Sequence, residues 1–309
     1  MAVVLLVPVL AALALWAFAW PAARTAPHEL PLGVAGPATA AAQVQQRLEA
    51  REGAFEIHRY EDGAAARDAI EDRTVYGAVV VTGRGTELLT ASAASPLVAQ
   101  SLRQAVARQA GGGEVPTVDV VPLPPEDPRG SVLASSVLPM TLAGIAAGAA
   151  VTLLGLRGGR AVAVLVGAAA LVGTVAALVA GSWLGAFTGS WWPEAAVLAL
   201  SALAVSAAVA GLAALLGTPG VGAGAFVMMM LGNPFSGASS APEMLPAPAG
   251  TIGQWLPPGA GTSLLRSVSF FDGAAAAGPA MALAWWAALG LGAVLLGGVL
   301  PRRRALAAG

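Results

Sequence analysis

The sequence predicts an α-helical polytopic membrane protein with six transmembrane helices and an extracytoplasmic α/β domain inserted between the first and second of them. Composition points there first: of 309 residues 57% are hydrophobic and only 11% charged, and the mean hydropathy is +0.74, against about 25% charged residues in an ordinary soluble domain. The charge is also segregated. Residues 21–130 carry ten arginines and fourteen carboxylates, whereas 131–309 carry six arginines and three carboxylates. The spacing of apolar runs completes the prediction, giving a first transmembrane helix over 1–20, an outer domain over 21–130 and a five-helix membrane domain over 131–309.

A hydrocarbon core of about 30 Å needs roughly 20 apolar residues in a helix. Charge-free runs of that order cover residues 2–20, about 132–155, 161–181, 195–216 and 280–300. A sixth, about 219–238, is interrupted by Pro219, several glycines and Asn233-Pro234, which predicts a short or broken span. The first run reads as an anchor rather than a cleaved signal peptide. It has no positively charged n-region and is longer than a typical h-region, although small residues follow it in "PAARTA".

Within the outer domain, strands are expected at 30–36, 54–60, 75–83, 86–91 and 116–123, from apolar alternation and β-branched content. Helices are expected at 39–51, 62–73 and 95–110, the last opening with Ser95 as N-cap and Pro96 in its first turn. Gly111-Gly112-Gly113 ends that helix, and "VPLPPEDPRG" leads back to the membrane as a stiff linker.

Arginines in short loops set the orientation. Arg157 and Arg160 lie between the second and third spans, and Arg302, Arg303 and Arg304 follow the last. Six spans put all five on one side, expected to be the cytoplasm, with both termini. The expected location is the plasma membrane of a bacterium. Trp183, Trp191 and Trp192 are expected at the headgroup level of an outer loop.

Several chemistries are excluded. There is no cysteine, hence no disulfide, thiolate nucleophile or Cys-ligated zinc. There is no lysine, so the phosphate-binding G-x-x-x-x-G-K-[ST] loop cannot be present; if ATP is used, another chain binds it. The two histidines, His28 and His58, both fall in the outer domain, which leaves the spans without a Ser-His or zinc hydrolase. His58, beside Arg59 and Tyr60, reads as a solvated strand end rather than a metal or acid–base site. The carboxylates of the membrane half, Glu194, Glu243 and Asp272, are all expected outside the spans, which disfavours proton-coupled transport. The net charge of −1 gives no sign of a nucleic-acid partner, and no cofactor is expected. Small-xxx-small pairs such as Gly144/Gly148 and Gly220/Gly224 permit close helix contact, but with 39 glycines they carry little weight. "VMMM" at 227–230 reads as core or lipid-facing packing rather than the lining of an adaptable pocket.

One segment stands apart, "LPPGAGTSLLRSVSFFDG" at 256–273. Pro257 and Pro258 are expected to interrupt the chain, with Thr262 or Ser263 capping a helix of about ten residues. Leu264, Leu265, Val268 and Phe271 would share its apolar face, with Arg266 and Ser267 turned elsewhere. So short a helix either lies in the interface or dips in and returns. The region 239–278 is therefore an outer re-entrant or interfacial segment. Asn233, Pro234, Pro257, Pro258, Arg266, Phe270, Phe271 and Asp272 are the candidates for an outer gate or vestibule, with a plain interfacial collar as the alternative.

Three stretches carry a family resemblance: "RYEDGAAARDAIEDRTVYGAVVV" (59–81), "LGNPFSG" (231–237) and "QWLPPGAGTSLLRSVSFFDGA" (254–274). With the order of spans and outer domain, the chain resembles the membrane subunit of ATP-binding-cassette type-2 exporters, in the bacterial branch related to phage-infection proteins. The resemblance runs over nearly the whole chain, and its motifs are structural rather than catalytic. It implies a permease without enzymatic activity of its own, a separate cytoplasmic ATP-binding-cassette ATPase, and a homodimer or a heterodimer with a second permease. It also implies that "LRGGR" (156–160), with Arg157 and Arg160, forms an ATPase-coupling loop. Only Met1 precedes the first apolar run, so the family's N-terminal coupling helix is missing or the start is truncated. The expected function is export of an amphipathic or lipid-like substrate. The alternative is a non-transporting surface protein whose outer domain binds an envelope component or phage.

Overall fold

The two halves that the charge distribution separates adopt two architectures, a mixed sheet with helices and a packed set of apolar helices. The structure is a computed structural model and describes residues 2–83, 85–109 and 115–307. Helix α1 (Ala2–Ala23) leads into β1 (Leu30–Ala35), α2 (Ala38–Glu49), β2 (Phe55–Tyr60), α3 (Gly63–Glu71), β3 (Gly77–Thr82), β4 (Gly85–Thr90), α4 (Pro96–Gln109) and β5 (Thr117–Asp119). The strands form one five-stranded sheet in the order β2-β1-β3-β4-β5; β1 runs parallel to β2 and β3, β3–β4 is an antiparallel hairpin, and β4 runs parallel to β5.

Local chemistry explains these boundaries. Asp62 caps α3, accepting from the amides of Ala64 and Ala65 at 2.9 Å each. Ser95 caps α4 through the amide of Val98 at 3.2 Å. One face of the sheet buries Ala35, Ala78, Val80 and Leu89 against Ala66, Ala69 and Ile70 of α3. The other buries Leu30, Leu32 and Leu88 against Val98 and Leu102 of α4. Residues 110–114, which include the expected triglycine end of α4, lie outside the described residues.

The second half comprises α5 (Ser131–Leu153), α6 (Gly158–Ala177) continuing as a π-helical segment to Trp183, α7 (Trp191–Leu216), α8 (Thr218–Phe226) continuing as a π-helical segment to Gly232, α9 (Ala249–Trp255), α10 (Pro257–Phe270) and α11 (Ala277–Ala307). Four helices are long and apolar enough to cross a membrane: Ser131–Leu153, Gly158–Trp183, Trp191–Leu216 and Ala277–Gly298. The expected first and broken spans fall on shorter apolar helices, Val7–Ala23 and Thr218–Gly232. Asp127, itself buried, caps α5 through the amides of Ser131 and Val132 at 2.9 and 2.8 Å.

Helix α7 is the centre of this half, 67% buried inside the chain against 28%, 22% and 28% for the other three long helices. Lipid supplies no hydrophobic drive between helices, so close van der Waals packing through small residues must hold them together. A Cβ added at Gly148 of α5 would lie 2.6 Å from the Ser206 carbonyl, and one at Gly173 of α6 would lie 2.5 Å from the Ala199 amide nitrogen. At Gly290 of α11 it would run into the backbone of Ala207. The small pairs Gly144/Gly148 and Gly220/Gly224 thus make real contacts within the chain, the first against Val205 and Val209 and the second against Leu212 and Val209.

Two expectations are corrected. Glu194 does not lie outside the spans: it sits in the first turn of α7, 2% exposed, accepting from the Gly189 amide at 3.1 Å. Pro257 and Pro258 do interrupt the chain, leaving Leu256 extended between α9 and α10, but the helix that follows is not a ten-residue one capped by Thr262 or Ser263. It has fourteen residues and starts at the prolines themselves, where a missing N–H costs nothing and a fixed φ is pre-set for the helix.

These contacts predict opposite outcomes for two alanine substitutions in α6. Gly173→Ala should destabilise the protein by roughly 1–3 kcal/mol through overpacking against α7. Gly167→Ala, where an added Cβ meets nothing within 4 Å, should be neutral or stabilise by up to about 1 kcal/mol. Thermal unfolding in detergent reads both, and equal effects would refute the close approach of α6 to α7.

Candidate functional site

Arg73 follows the end of α3 in a left-handed conformation, φ 59°. Thr74 N–H donates to the Ala69 carbonyl and Arg73 N–H to that of Ile70, at 2.9 and 3.0 Å. That is the Schellman helix end, whose left-handed residue is usually glycine. Arginine there costs roughly 1–2 kcal/mol, so its side chain must be used. Its Nη1 donates to the Ser263 carbonyl at 3.0 Å and to Ser267 Oγ, both on α10, 190 and 194 residues away in sequence. Its guanidinium also lies 5.3 Å from the centre of the Phe271 ring.

Around this link sit five further polar side chains. Tyr76 donates its O–H to Glu243 Oε2 at 2.7 Å. Arg266 of α10, 3% exposed, donates from Nη2 to the Ala238 carbonyl at 3.1 Å. Ser263 Oγ donates to Gln254 Oε1 at 2.5 Å, and Gln254 Nε2 donates to the Ser236 carbonyl at 3.1 Å. Burial is the main cause lowering the Arg73 guanidinium below its ordinary range. Burial, and then the Glu243 carboxylate, pushes the Tyr76 phenol upward.

Apolar side chains complete the joint between the sheet and the helices. Phe271, at the end of α10, is buried in the α3 face of the sheet domain, and Ala241 and Met244 are buried in the α4 face. The amides of Ala26 and His28 donate to the carbonyls of Met244 and Glu243 at 3.0 and 2.8 Å. The segment 236–273 therefore belongs to both halves.

Helices α9 and α10 form a hairpin with a deep tip. Pro257, Pro258, Gly261 and Thr262 line a small cavity with Thr141 of α5 and Ser201 of α7, and Ser201 lies about 15 Å along α7 from Trp191. The other end of α10 meets Thr188, whose hydroxyl donates to the Ser269 carbonyl at 2.9 Å. Residues Pro257–Ser267 are buried throughout, so the expected amphipathic helix with one apolar face is instead a helix covered on all sides.

The sequence-predicted residues are dispersed. Pro257 and Pro258 stand at the hairpin tip, Arg266 in the polar joint, and Phe271 in the sheet-domain core. Phe270 packs edge-on to Phe187 with ring centres 6.4 Å apart. Asp272 is exposed in the following turn, with φ 48°. Asn233 and Pro234 line a cavity of about 430 Å³ with Phe18 and Pro21 of α1. Arg157 and Arg160 are exposed at the opposite end of the helices, where Arg157 borders a cavity of about 320 Å³ with the ends of α5, α7 and α11. Sequence reasoning missed Arg73, Tyr76, Gln254 and Ser267. The one available signal was the pair of ionisable residues, Glu243 and Arg266, in a stretch otherwise short of charge.

No group of three or more metal-ligating side chains exists among the described residues. Among the described residues the cluster joins the two halves by hydrogen bonds and holds no nucleophile–base pair. The chain matches no protein-family model, no curated protein and no solved structure.

The Tyr76 shift has a testable sign. An unfolded tyrosine loses its proton near pH 10, whereas the folded one retains it, so folding stability falls as pH rises past about 10. Tyr76→Phe should cost about 1–3 kcal/mol at neutral pH by stripping Glu243 of its donor. It should also lose less stability than the unsubstituted protein between about pH 8 and pH 11. Circular-dichroism melts at both pH values check this; identical alkaline losses would place Tyr76 outside the joint.

Proposed function

We propose that the chain is the membrane permease subunit of an ATP-binding-cassette exporter, with six membrane-crossing or partly crossing helices and the sheet domain on the outer side. The observation that carries this reading is the placement of the arginines. The sheet domain packs on the C-terminal end of α10 through Phe271 and leads through Asp127 directly into the N-terminal end of α5, and Thr188, just before α7, bonds to Ser269 at that same end of α10. Arg157 lies at the other end of the helices, where Gly298 of α11 packs against Gly158, and α11 runs on from there through Arg302, Arg303 and Arg304. Short basic segments at one end of such helices mark the cytoplasmic side.

The end that bears Arg157 is concave, bordered by Thr152–Arg157, Ala213–Thr218 and Val294–Gly298. A helix or loop from a cytoplasmic ATPase would seat there, with Arg157 and Arg160 as its charged contacts. The absence of any lysine rules out a phosphate-binding loop of the usual kind in this chain and requires the ATPase to be separate. The partner complex would be a homodimer, or a heterodimer with a second permease.

The cysteine-free chain makes topology directly measurable. Single substitutions Arg59→Cys and Arg157→Cys should react with a membrane-impermeant maleimide from opposite faces of intact cells. Labelling from one face would end the reading. With a candidate cytoplasmic ATP-binding-cassette ATPase co-expressed, Arg157→Glu with Arg160→Glu should reduce both co-purification and permease-dependent ATP hydrolysis to background. Unchanged association would remove these arginines from the coupling surface.

A further inference from the structure

Beside the polar joint lies a cavity of about 540 Å³, within the range of ordinary small-ligand sites. Its lining is of two kinds: polar, from Arg73, Tyr76, Glu243, Gln254 and Ser263, and apolar, from Trp255, Pro279, Met281 and Trp285. Trp255, Trp285 and Met281 are 70%, 64% and 62% exposed, a broad apolar mouth on the side of α11. Trp286 fixes this mouth, donating its indole N–H to the Trp255 carbonyl at 2.7 Å.

The polar lining is short of negative charge. Arg73, Arg266, Tyr76 and Glu243 act electrostatically on one another, which sets two guanidinium groups against one carboxylate beside a neutral phenol. Arg266 is almost wholly buried, and no Arg–carboxylate ion pair forms within the cluster; among the described residues the ion pairs are His58–Glu56 and Arg103–Asp119. An excess buried cation is costly unless an anion joins it. Arg73 offers the contact: Nη1 serves α10, while Nε and Nη2 have no protein acceptor among the described residues and the side chain borders the cavity. The link to α10 uses one edge of the guanidinium and leaves the other facing the cavity.

We infer that this cavity binds an anionic amphiphile, its carboxylate or phosphate head on the free edge of Arg73 and its alkyl tail along Trp255, Met281 and Trp285. The inference is independent of the exporter reading and holds whether or not an ATPase binds this chain. Two sources share the chemistry, a free fatty acid and an anionic phospholipid of the bilayer. The planar guanidinium suits either head by paired hydrogen bonds, and the exposed mouth lets a tail enter from the side.

Bromine quenching of tryptophan tests it on the full chain in a neutral detergent. The probes are a bromine-tipped undecanoate, the corresponding alcohol and the corresponding trimethylammonium. The undecanoate should quench saturably and be displaced by unbrominated undecanoate, with the alcohol and the ammonium roughly tenfold weaker or non-saturable. Arg73→Gly, which relieves the backbone strain, should weaken the undecanoate by roughly tenfold and leave the alcohol unchanged. Gly278→Phe should abolish saturable quenching, since Gly278 borders the cavity and an added Cβ there meets nothing within 4 Å. In nanodiscs, tail-brominated phosphatidylglycerol against phosphatidylcholine of equal bromine content tests the second source. Saturable, Gly278-sensitive quenching by either anion supports the site and names its source. Equal quenching by all probes, or no loss with Gly278→Phe, overturns it even if Arg73→Gly fails to fold, and leaves Trp255 and Trp285 as interface anchors only.

Discussion

Burying α10 on all sides forces the arrangement around it. A helix so enclosed must satisfy its polar side chains and terminal carbonyls without water, and each left unpaired costs about 1–3 kcal/mol. Its terminal carbonyls are met by the amides of Phe271 and Gly273 on Ser267 and by the Thr188 hydroxyl on Ser269, and Arg73 adds a donor from a separate domain to the Ser263 carbonyl and to Ser267 Oγ. Geometry dictates the donor's origin. A guanidinium can serve a backbone carbonyl and a hydroxyl together because its donors form a fixed fork, and the left-handed turn after α3 sets that fork against α10. The strain at φ 59° is thus offset outside α3, in the packing of the joint.

That link, with Phe271 in one face of the sheet domain and Met244 in the other, makes the joint stiff. The sheet is not hung from a flexible tether: hydrogen bonds and buried apolar groups hold it on both faces. On the helix side, α10 packs against α7, which in turn is approached closely by α5, α6 and α11 at glycines. Packed interiors transmit displacement rather than absorb it. A shift of α7 or α11 would therefore reach the sheet through α10, which touches the sheet domain at Arg73 and Phe271.

The sheet domain was legible because its signals are short-range. Alternating apolar residues, Asp62 before α3 and Ser95-Pro96 before α4 each act within four residues, and all five strands and three helices lie close to their expected positions. The long helices were equally readable from length and hydropathy. The joint was not, since the contact of Arg73 with α10 spans 190 residues and leaves no periodic trace. Pro257-Pro258 was half-legible: the same dipeptide ends the helix that precedes it and opens the one that follows, and the expectation caught the break at Leu256 but placed the new helix start at Thr262 or Ser263 instead of at the prolines. Glu194 was misplaced because a carboxylate in the first turn of a span is tolerated when backbone amides meet it, and the Gly189 amide does so here.

The depth of the hairpin bears on what the fold can do. If α10 merely lay at the interface as an anchor, its tip would gain nothing from proximity to Ser201, well along α7, and its outward face could remain apolar toward lipid. Instead the tip is enclosed by α5 and α7, and the backbone turn between α9 and α10 is buried in protein, the condition under which non-helical backbone persists at membrane depth. Such an insertion costs conformational freedom and polar desolvation, and an anchor would be served as well by apolar surface alone. The hairpin tip is enclosed between α5 and α7, α10 is joined to the sheet by Arg73, and the hairpin borders a cavity of mixed polarity, so a displacement of α5 or α7 is felt at that cavity.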